Sequence, residues 1–100
     1  MEKERKKQII KDALETYGVE AQKTMMIEEC SELMLALARE KRGRKADVIT
    51  ELADVYIMYR QLKLLYGVAA VNEEIERKLV RLEGRIAEHK AKHPKNDAAE

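Results

Sequence analysis

The stretch that decides the fold is IEECSELMLALAREKRGRKADVITELADVY, residues 27–56. Leu, Ala, Met, Val and Ile recur in it at the three- and four-residue spacing of an α-helix, and the pattern breaks only at KRGRK, residues 41–45. The stretch therefore predicts two helices joined by a short turn, and so short a connection favours antiparallel neighbours. Both helices nevertheless carry carboxylates close to their apolar stripes.

Helical periodicity extends over most of the chain, and no alternating strand pattern competes with it. We predict four helices, over about 2–17, 19–41, 46–66 and 68–92, with Gly18 ending the first and Gly67 the third. The predicted fold is an all-α antiparallel bundle of about four helices in a single domain, residues 1–93. A polar, frayed tail is predicted over 94–100.

Apolar residues lie on more than one side of the two central helices. The predicted inner stripes are Met26, Cys30, Leu33 and Leu37 on the second helix and Val48, Leu52, Val55, Tyr59, Leu62 and Tyr66 on the third. Leu35, Ile57 and Leu64 lie on the opposite sides. A helix that is apolar on two sides is buried on two sides, so we expect a homo-oligomer, a dimer or a tetramer, to complete the bundle.

The charge balance argues against some classes of partner, and the cysteine content bears on the cellular compartment. Twenty basic and 19 acidic side chains give a net charge of +1, which provides no overall field for nucleic acid or a membrane surface. The basic turn also suits the negative end of a helix dipole, so nucleic acid is not an expected partner. Cys30 is the single cysteine, and no apolar run resembles a signal peptide or a membrane span, so we predict a cytoplasmic protein.

Four carboxylates fall at one level of the predicted hairpin. Residues at the same level of an antiparallel hairpin have position numbers with a constant sum, and Glu29 with Asp54 and Glu32 with Glu51 both sum to 83. This sum centres the turn at the edge of KRGRK. Partly desolvated like charges repel one another unless a cation lies between them. All-oxygen ligands with no His nearby favour Mg²⁺, or Mn²⁺ as a substitute, over Zn²⁺; the alternative is a solvated acidic face.

The acidic residues also match the sequence motif of a known protein family. EECSE at 28–32, eighteen intervening residues and ELAD at 51–54 match the pattern E-E-x-x-E followed by E-x-x-D. The chain thereby resembles the MazG-like all-α nucleoside triphosphate pyrophosphohydrolases, relatives of the dimeric dUTP pyrophosphatases, over roughly residues 18 to 86. The similarity extends upstream to GVEAQKTMMIEECSEL, residues 18–33. The chain holds one copy of the module and has no Trp or Phe for base stacking.

The resemblance implies Mg²⁺-dependent cleavage of an NTP or dNTP between its α and β phosphates, by an obligate oligomer. It implies Glu29, Glu32, Glu51 and Asp54 as metal ligands, Glu28 or Glu29 as the residue that activates water, and Gln22 as a substrate contact. Lys78, Arg81 and Arg85 share one line of the fourth helix and could bind the triphosphate or pyrophosphate, or simply solvate an outer face. The rival hypotheses are a non-catalytic helical assembly module and a nucleotide-sensing module.

Overall fold

The computed structural model describes residues 1–94, and every regular element in this range is an α-helix. The helices are α1 (Lys3–Tyr17), α2 (Val19–Lys41), α3 (Val48–Tyr66) and α4 (Val68–Lys92). The all-α prediction is confirmed, and each predicted boundary lies within two residues of the observed one. Apart from Pro94, the predicted tail lies outside the described residues.

The chain divides into two compact units, which are described separately. The first, Met1–Gly67, contains α1, α2 and α3, whereas α4 belongs to the second. In the first unit α1 packs on both members of the α2–α3 hairpin, and its Ile10 is buried. The prediction that residues 1–93 form a single domain stays a prediction.

Glycines and one side-chain cap define the helix ends. Gly18 and Gly67 have φ angles of 89° and 108°, and their N–H groups bond the carbonyls of Leu14 and Lys63 at 3.0 Å. Glycine reaches positive φ at little cost, which is why both helices end there. α3 begins two residues later than predicted because Asp47 is its N-cap and accepts a hydrogen bond of 3.0 Å from the Thr50 N–H.

The packed face of the hairpin differs from the predicted stripes. Gln22 and Ala36 are the buried residues of α2, and Met58 and Gln61 are those of α3. Each pair belongs to a row with the alternating three- and four-residue spacing of a two-helix interface. We call these two rows the seam; its members, all buried or half-buried, are Gln22, Met26, Glu29, Leu33 and Ala36 on α2 and Glu51, Asp54, Met58, Gln61 and Leu65 on α3.

This seam corrects the predicted orientation of α3. Leu52 and Tyr66, which were predicted to face inward, are 52% and 62% exposed. Glu51 and Asp54, predicted to lie beside the stripe, are instead members of the seam. The prediction was wrong because apolar residues lie on several sides of α2 and α3, so periodicity alone does not select the side that packs.

Much apolar surface stays exposed within the described residues. Only three apolar residues of the described range are buried, namely Ile10, Ala36 and Met58, whereas Ile27 and Ile49 are among many large apolar side chains exposed. Contiguous exposed apolar surface is typical of an interaction site. In residues 1–94, no helix has both the length and the apolar character needed to cross a membrane.

Candidate metal centre

Three carboxylates meet in the α2–α3 seam. Glu29 comes from α2, and Glu51 and Asp54 come from successive turns of α3. Each is half-buried and offers one oxygen, and the three oxygens lie within 4.8 Å of one another. We call Glu29, Glu51 and Asp54 the carboxylate triad. The structure thus brings together three of the four residues that the sequence predicted as metal ligands.

The register of α2 against α3 brings the carboxylates of the triad to one level of the hairpin. Gln22 Nε2 donates a buried hydrogen bond of 2.7 Å to Gln61 Oε1, which joins α2 to α3 one heptad away from Glu29 and Asp54. The position numbers of the two glutamines sum to 83, as those of Glu29 and Asp54 do. Because a heptad returns to the same side of a helix, the glutamine pair and the carboxylates lie on one seam.

Folding raises the pKa of two members of the triad. For Glu29 the main cause is desolvation, followed by the charges of Asp54 and Glu32, with smaller contributions from neighbouring glutamates. For Glu51 desolvation again comes first, followed by the charges of Glu32 and Asp54 and a side-chain hydrogen bond with Glu32. Both carboxylates therefore lie where negative charge is disfavoured unless a cation compensates it.

The described residues supply no such cation. Among residues 1–94, no Lys, Arg or His forms an ion pair within 4.0 Å of a triad carboxylate. Glu29 Oε2 and Glu51 Oε2 are also buried and accept no hydrogen bond from a protein donor in this range. Buried polar atoms are normally paired, and an unpaired one indicates strain or a missing ion or water. Two such oxygens in one cluster favour a bound cation.

The donor set fits a hard divalent ion. Mg²⁺ binds oxygen at about 2.0–2.1 Å in an octahedron, so two of its ligand oxygens lie about 2.9 Å or about 4.1 Å apart. The triad oxygens, within 4.8 Å of one another, reach such spacings with side-chain shifts of about an ångström. Three protein oxygens leave other positions to water or phosphate, which is the usual Mg²⁺ arrangement.

The two remaining acidic residues of the motif lie at the rim of the triad. Glu32 is exposed and is not one of the residues whose oxygens cluster, although it lies close enough to raise the pKa of Glu51. Glu28 is also exposed, and its charge adds to the raised pKa of Glu29. Their predicted roles, as a fourth ligand and as a residue that activates water, stay predictions.

The predicted substrate contacts lie in different surroundings. Gln22 is buried in the seam, where its side-chain amide is engaged by Gln61. Lys78, Arg81 and Arg85 are exposed on α4, and none of the three belongs to an ion pair within the described range. Their contact with phosphate stays a prediction.

Sequence reasoning missed Gln61, which belongs to no recognised motif. One signal could have identified it: Gln61 is the residue whose position number completes the sum of 83 with Gln22. A pair of polar residues at one level of a predicted apolar hairpin is a candidate for a buried hydrogen bond, because each side chain offers the other a partner.

Comparisons with protein-family models, with curated proteins and with solved structures find no match to this chain. The resemblance to the MazG-like pyrophosphohydrolases therefore depends on the acidic motif of the sequence. The geometry of the triad is an independent observation, because it follows from the packing of α2 on α3.

Proposed function

We propose that this chain is a Mg²⁺-dependent nucleoside triphosphate pyrophosphohydrolase of the MazG-like type. It would consume one water and convert an NTP or dNTP into the monophosphate and pyrophosphate. The observation that carries the proposal is the carboxylate triad, in which three oxygens lie within 4.8 Å of one another, and in which Glu29 Oε2 and Glu51 Oε2 are buried without a hydrogen bond from the described residues. The cytoplasm, where Mg²⁺ and nucleotides occur together, is the proposed location.

Each acidic residue has a stated role in this proposal. Glu29, Glu51 and Asp54 hold the metal, and the exposed Glu32 is placed to complete its protein ligands. When bound, Mg²⁺ supplies positive charge that offsets the charge of the phosphate oxygens. Glu28, exposed beside Glu29, orients the attacking water and accepts its proton. The acidic cluster alone repels a triphosphate, so the nucleotide binds together with the metal.

Pyrophosphate release from a panel of NTPs and dNTPs with Mg²⁺ tests the proposal. The parent is expected to turn over at least one nucleotide. Glu51→Gln, a nearly isosteric change in the triad, is expected to lose turnover while remaining folded. Glu20→Gln is the matched control because it removes an exposed carboxylate of α2, whose only ion pair among residues 1–94 is a 3.8 Å contact with Lys23. This variant should keep full activity.

Two results would contradict the proposal. One is a parent that releases no pyrophosphate from any nucleotide of the panel. The other is a Glu51→Gln variant as active as the parent, because the triad would then have no part in the reaction. Nucleotide binding without turnover would instead identify a sensor.

The second candidate function is a non-catalytic assembly module. It is favoured by the large apolar side chains exposed on α2 and α3, which include Ile27, Met34 and Ile49. Both candidates predict a homo-oligomer, a dimer or a tetramer, so mass measurement in solution does not separate them. The response to Mg²⁺ distinguishes the two candidate functions. The enzyme should be stabilised by Mg²⁺, whereas the assembly module should gain no thermal stability from Mg²⁺ beyond the effect of ionic strength.

A further inference from the structure

Two polar side chains are buried in the first unit, and they bond each other. Gln22 is 6% exposed and Gln61 is 2% exposed, and they are the buried polar residues of the described range. Gln22 Nε2 donates to Gln61 Oε1 at 2.7 Å, and Gln61 Nε2 lies 3.5 Å from the Met58 sulfur. Burying amides in an apolar seam stabilises little by itself, because hydrogen bonds to water are given up. A role in specificity accounts for their position better than a role in stability.

The hydrogen bond between Gln22 and Gln61 depends on the position of α3 along α2. It lies seven residues from Glu29 on α2 and seven from Asp54 on α3, which is about 10.5 Å along each axis. If α3 slid along α2 by one helical turn, the glutamine bond would break and Glu29 would no longer lie level with Asp54. In one direction Glu29 would move away from both carboxylates of α3, and in the other it would come level with Glu51 and leave Asp54. The glutamine bond and the level pairing of Glu29 with Asp54 therefore form in one register only.

The apolar members of the seam do not fix this register by themselves. They are Met26, Leu33, Ala36, Met58 and Leu65. Apolar contacts are non-directional, and methionine adapts to irregular surroundings. A slide of one helical turn, about 5.4 Å, in one direction would bring Gln22 level with Leu65. Gln61 would then lie level with Met26, so each amide would face an apolar side chain.

Electrostatics without a metal opposes the observed register. Glu29, Glu51 and Asp54 repel one another there, and a slide that moves Glu29 away from the carboxylates of α3 would reduce this repulsion. In such a hairpin, however, the buried amides of Gln22 and Gln61 would lose their partner, which is unfavourable in an apolar seam. A single buried polar residue sets the register of coiled coils by the same penalty, at some expense of stability.

We propose that Gln22 and Gln61 are positioning residues of the metal centre. Their hydrogen bond holds α2 and α3 in the register that assembles the carboxylate triad before the metal arrives. This inference depends on the proposed metal site, and it gives Gln22 a role different from the substrate contact expected from the sequence. The glutamines touch neither metal nor nucleotide.

The test separates metal affinity from stability. Mn²⁺ binding is measured by electron paramagnetic resonance, and stability by urea unfolding without metal. In Gln22→Leu/Gln61→Leu the amides are replaced by apolar groups of similar size, so the protein should be as stable as the parent or more stable. Its Mn²⁺ affinity should nevertheless fall at least tenfold.

A second variant should behave in the opposite way. Gln61→Glu keeps the Oε1 acceptor for Gln22 Nε2 but buries a carboxylate, so it should lose stability while keeping Mn²⁺ affinity within about threefold. Ile10→Val is the control for stability alone, since Ile10 is buried on α1, and it should leave Mn²⁺ affinity unchanged. A purely structural role would make affinity follow stability in all of these variants.

The register itself is read by a distance between spin labels at the exposed positions Ser31 and Ala53, in a Cys30→Ala background. The leucine pair should broaden or shift this distance by up to about one helical turn, 5.4 Å. An unchanged distance with undiminished Mn²⁺ affinity in the leucine pair would overturn the positioning role. A parent that binds no Mn²⁺ would overturn the proposed function, whatever the labels report.

Discussion

Replacing Glu51 by Gln should change the stability of the protein in opposite directions with and without Mg²⁺. Without metal, the raised pKa of Glu51 means that its negative charge is disfavoured by desolvation and by the charges of Glu32 and Asp54. Glutamine has nearly the same shape and no charge, so metal-free Glu51→Gln should unfold at a higher temperature than the parent. With Mg²⁺ the order should reverse, because the variant lacks one of the carboxylates proposed to bind the metal.

The size of the reversal follows from ligand linkage. Free Mg²⁺ at 100 times its Kd stabilises the folded parent by about 2.7 kcal/mol, which for a domain of this size raises Tm by roughly 10–20 °C. Loss of groups that merely support a ligand lowers metal affinity about 10–100-fold, so the loss of a ligand itself should reach about 100-fold. At the same Mg²⁺ the variant then gains only about 0.4 kcal/mol, or roughly 2–3 °C.

Thermal unfolding followed by circular dichroism, at fixed protein concentration and ionic strength, measures both effects. Glu20→Gln, which neutralises an exposed carboxylate of α2 outside the triad, should show the full Mg²⁺ response of the parent. The reasoning is refuted if metal-free Glu51→Gln is less stable than the parent, because the triad would then not be a site of repulsion. It is equally refuted if both proteins gain the same stability from Mg²⁺.

Three further predictions concern pH, packing and backbone. Folding raises the pKa of Glu29 and Glu51, so the folded state binds more protons than the unfolded state does. The metal-free parent should therefore lose urea stability relative to Glu51→Gln as pH rises from about 4 to about 8. A difference in unfolding free energy that stays constant with pH would contradict the raised pKa values. Met58→Ala should lower the free energy of unfolding by about 2–5 kcal/mol, since Met58 is buried in the seam; a loss below about 1 kcal/mol would show that the seam does not pack around it. Gly18→Ala should lose about 1–3 kcal/mol because φ 89° and ψ 158° suit glycine alone. Gly84→Ala, inside α4 with open space at its Cβ, should gain about 0.4–1 kcal/mol, and equal effects of the two glycine changes would refute the backbone argument.

Under the proposed function, the glutamine pair and the carboxylate triad form a site that opposes the stability of the helices that carry it. The triad places like charges in a seam that apolar residues would pack better, and the glutamines add buried amides to the same seam. Both features are unfavourable for folding without metal, and the proposal assigns them a use when a cation binds. We expect stability and metal affinity to separate in variants of this seam.

The sequence by itself determined the helices and the level of the acidic residues along the hairpin. Gly18, Gly67 and the basic turn mark helix ends through local backbone conformation, which depends on neighbouring residues alone. The position numbers of Glu29 and Asp54 sum to 83, which centres the turn at the edge of KRGRK, so the level of the carboxylates was also predictable. Even the largest boundary shift, at the start of α3, has a local cause, because the Asp47 side chain accepts a hydrogen bond from the Thr50 N–H.

Only the tertiary structure decided which side of each helix forms the seam. Both α2 and α3 carry apolar residues on several sides. Periodicity therefore predicted that Leu52 and Tyr66 face inward, whereas the structure buries Met58 and Gln61. That rotation moved Glu51 and Asp54 from the edge of the interface into it, and it turned Gln22 from an expected substrate contact into one half of a buried bond. The physical reason is that a helix specifies its own backbone locally, whereas the side that it buries depends on the surface of its partner.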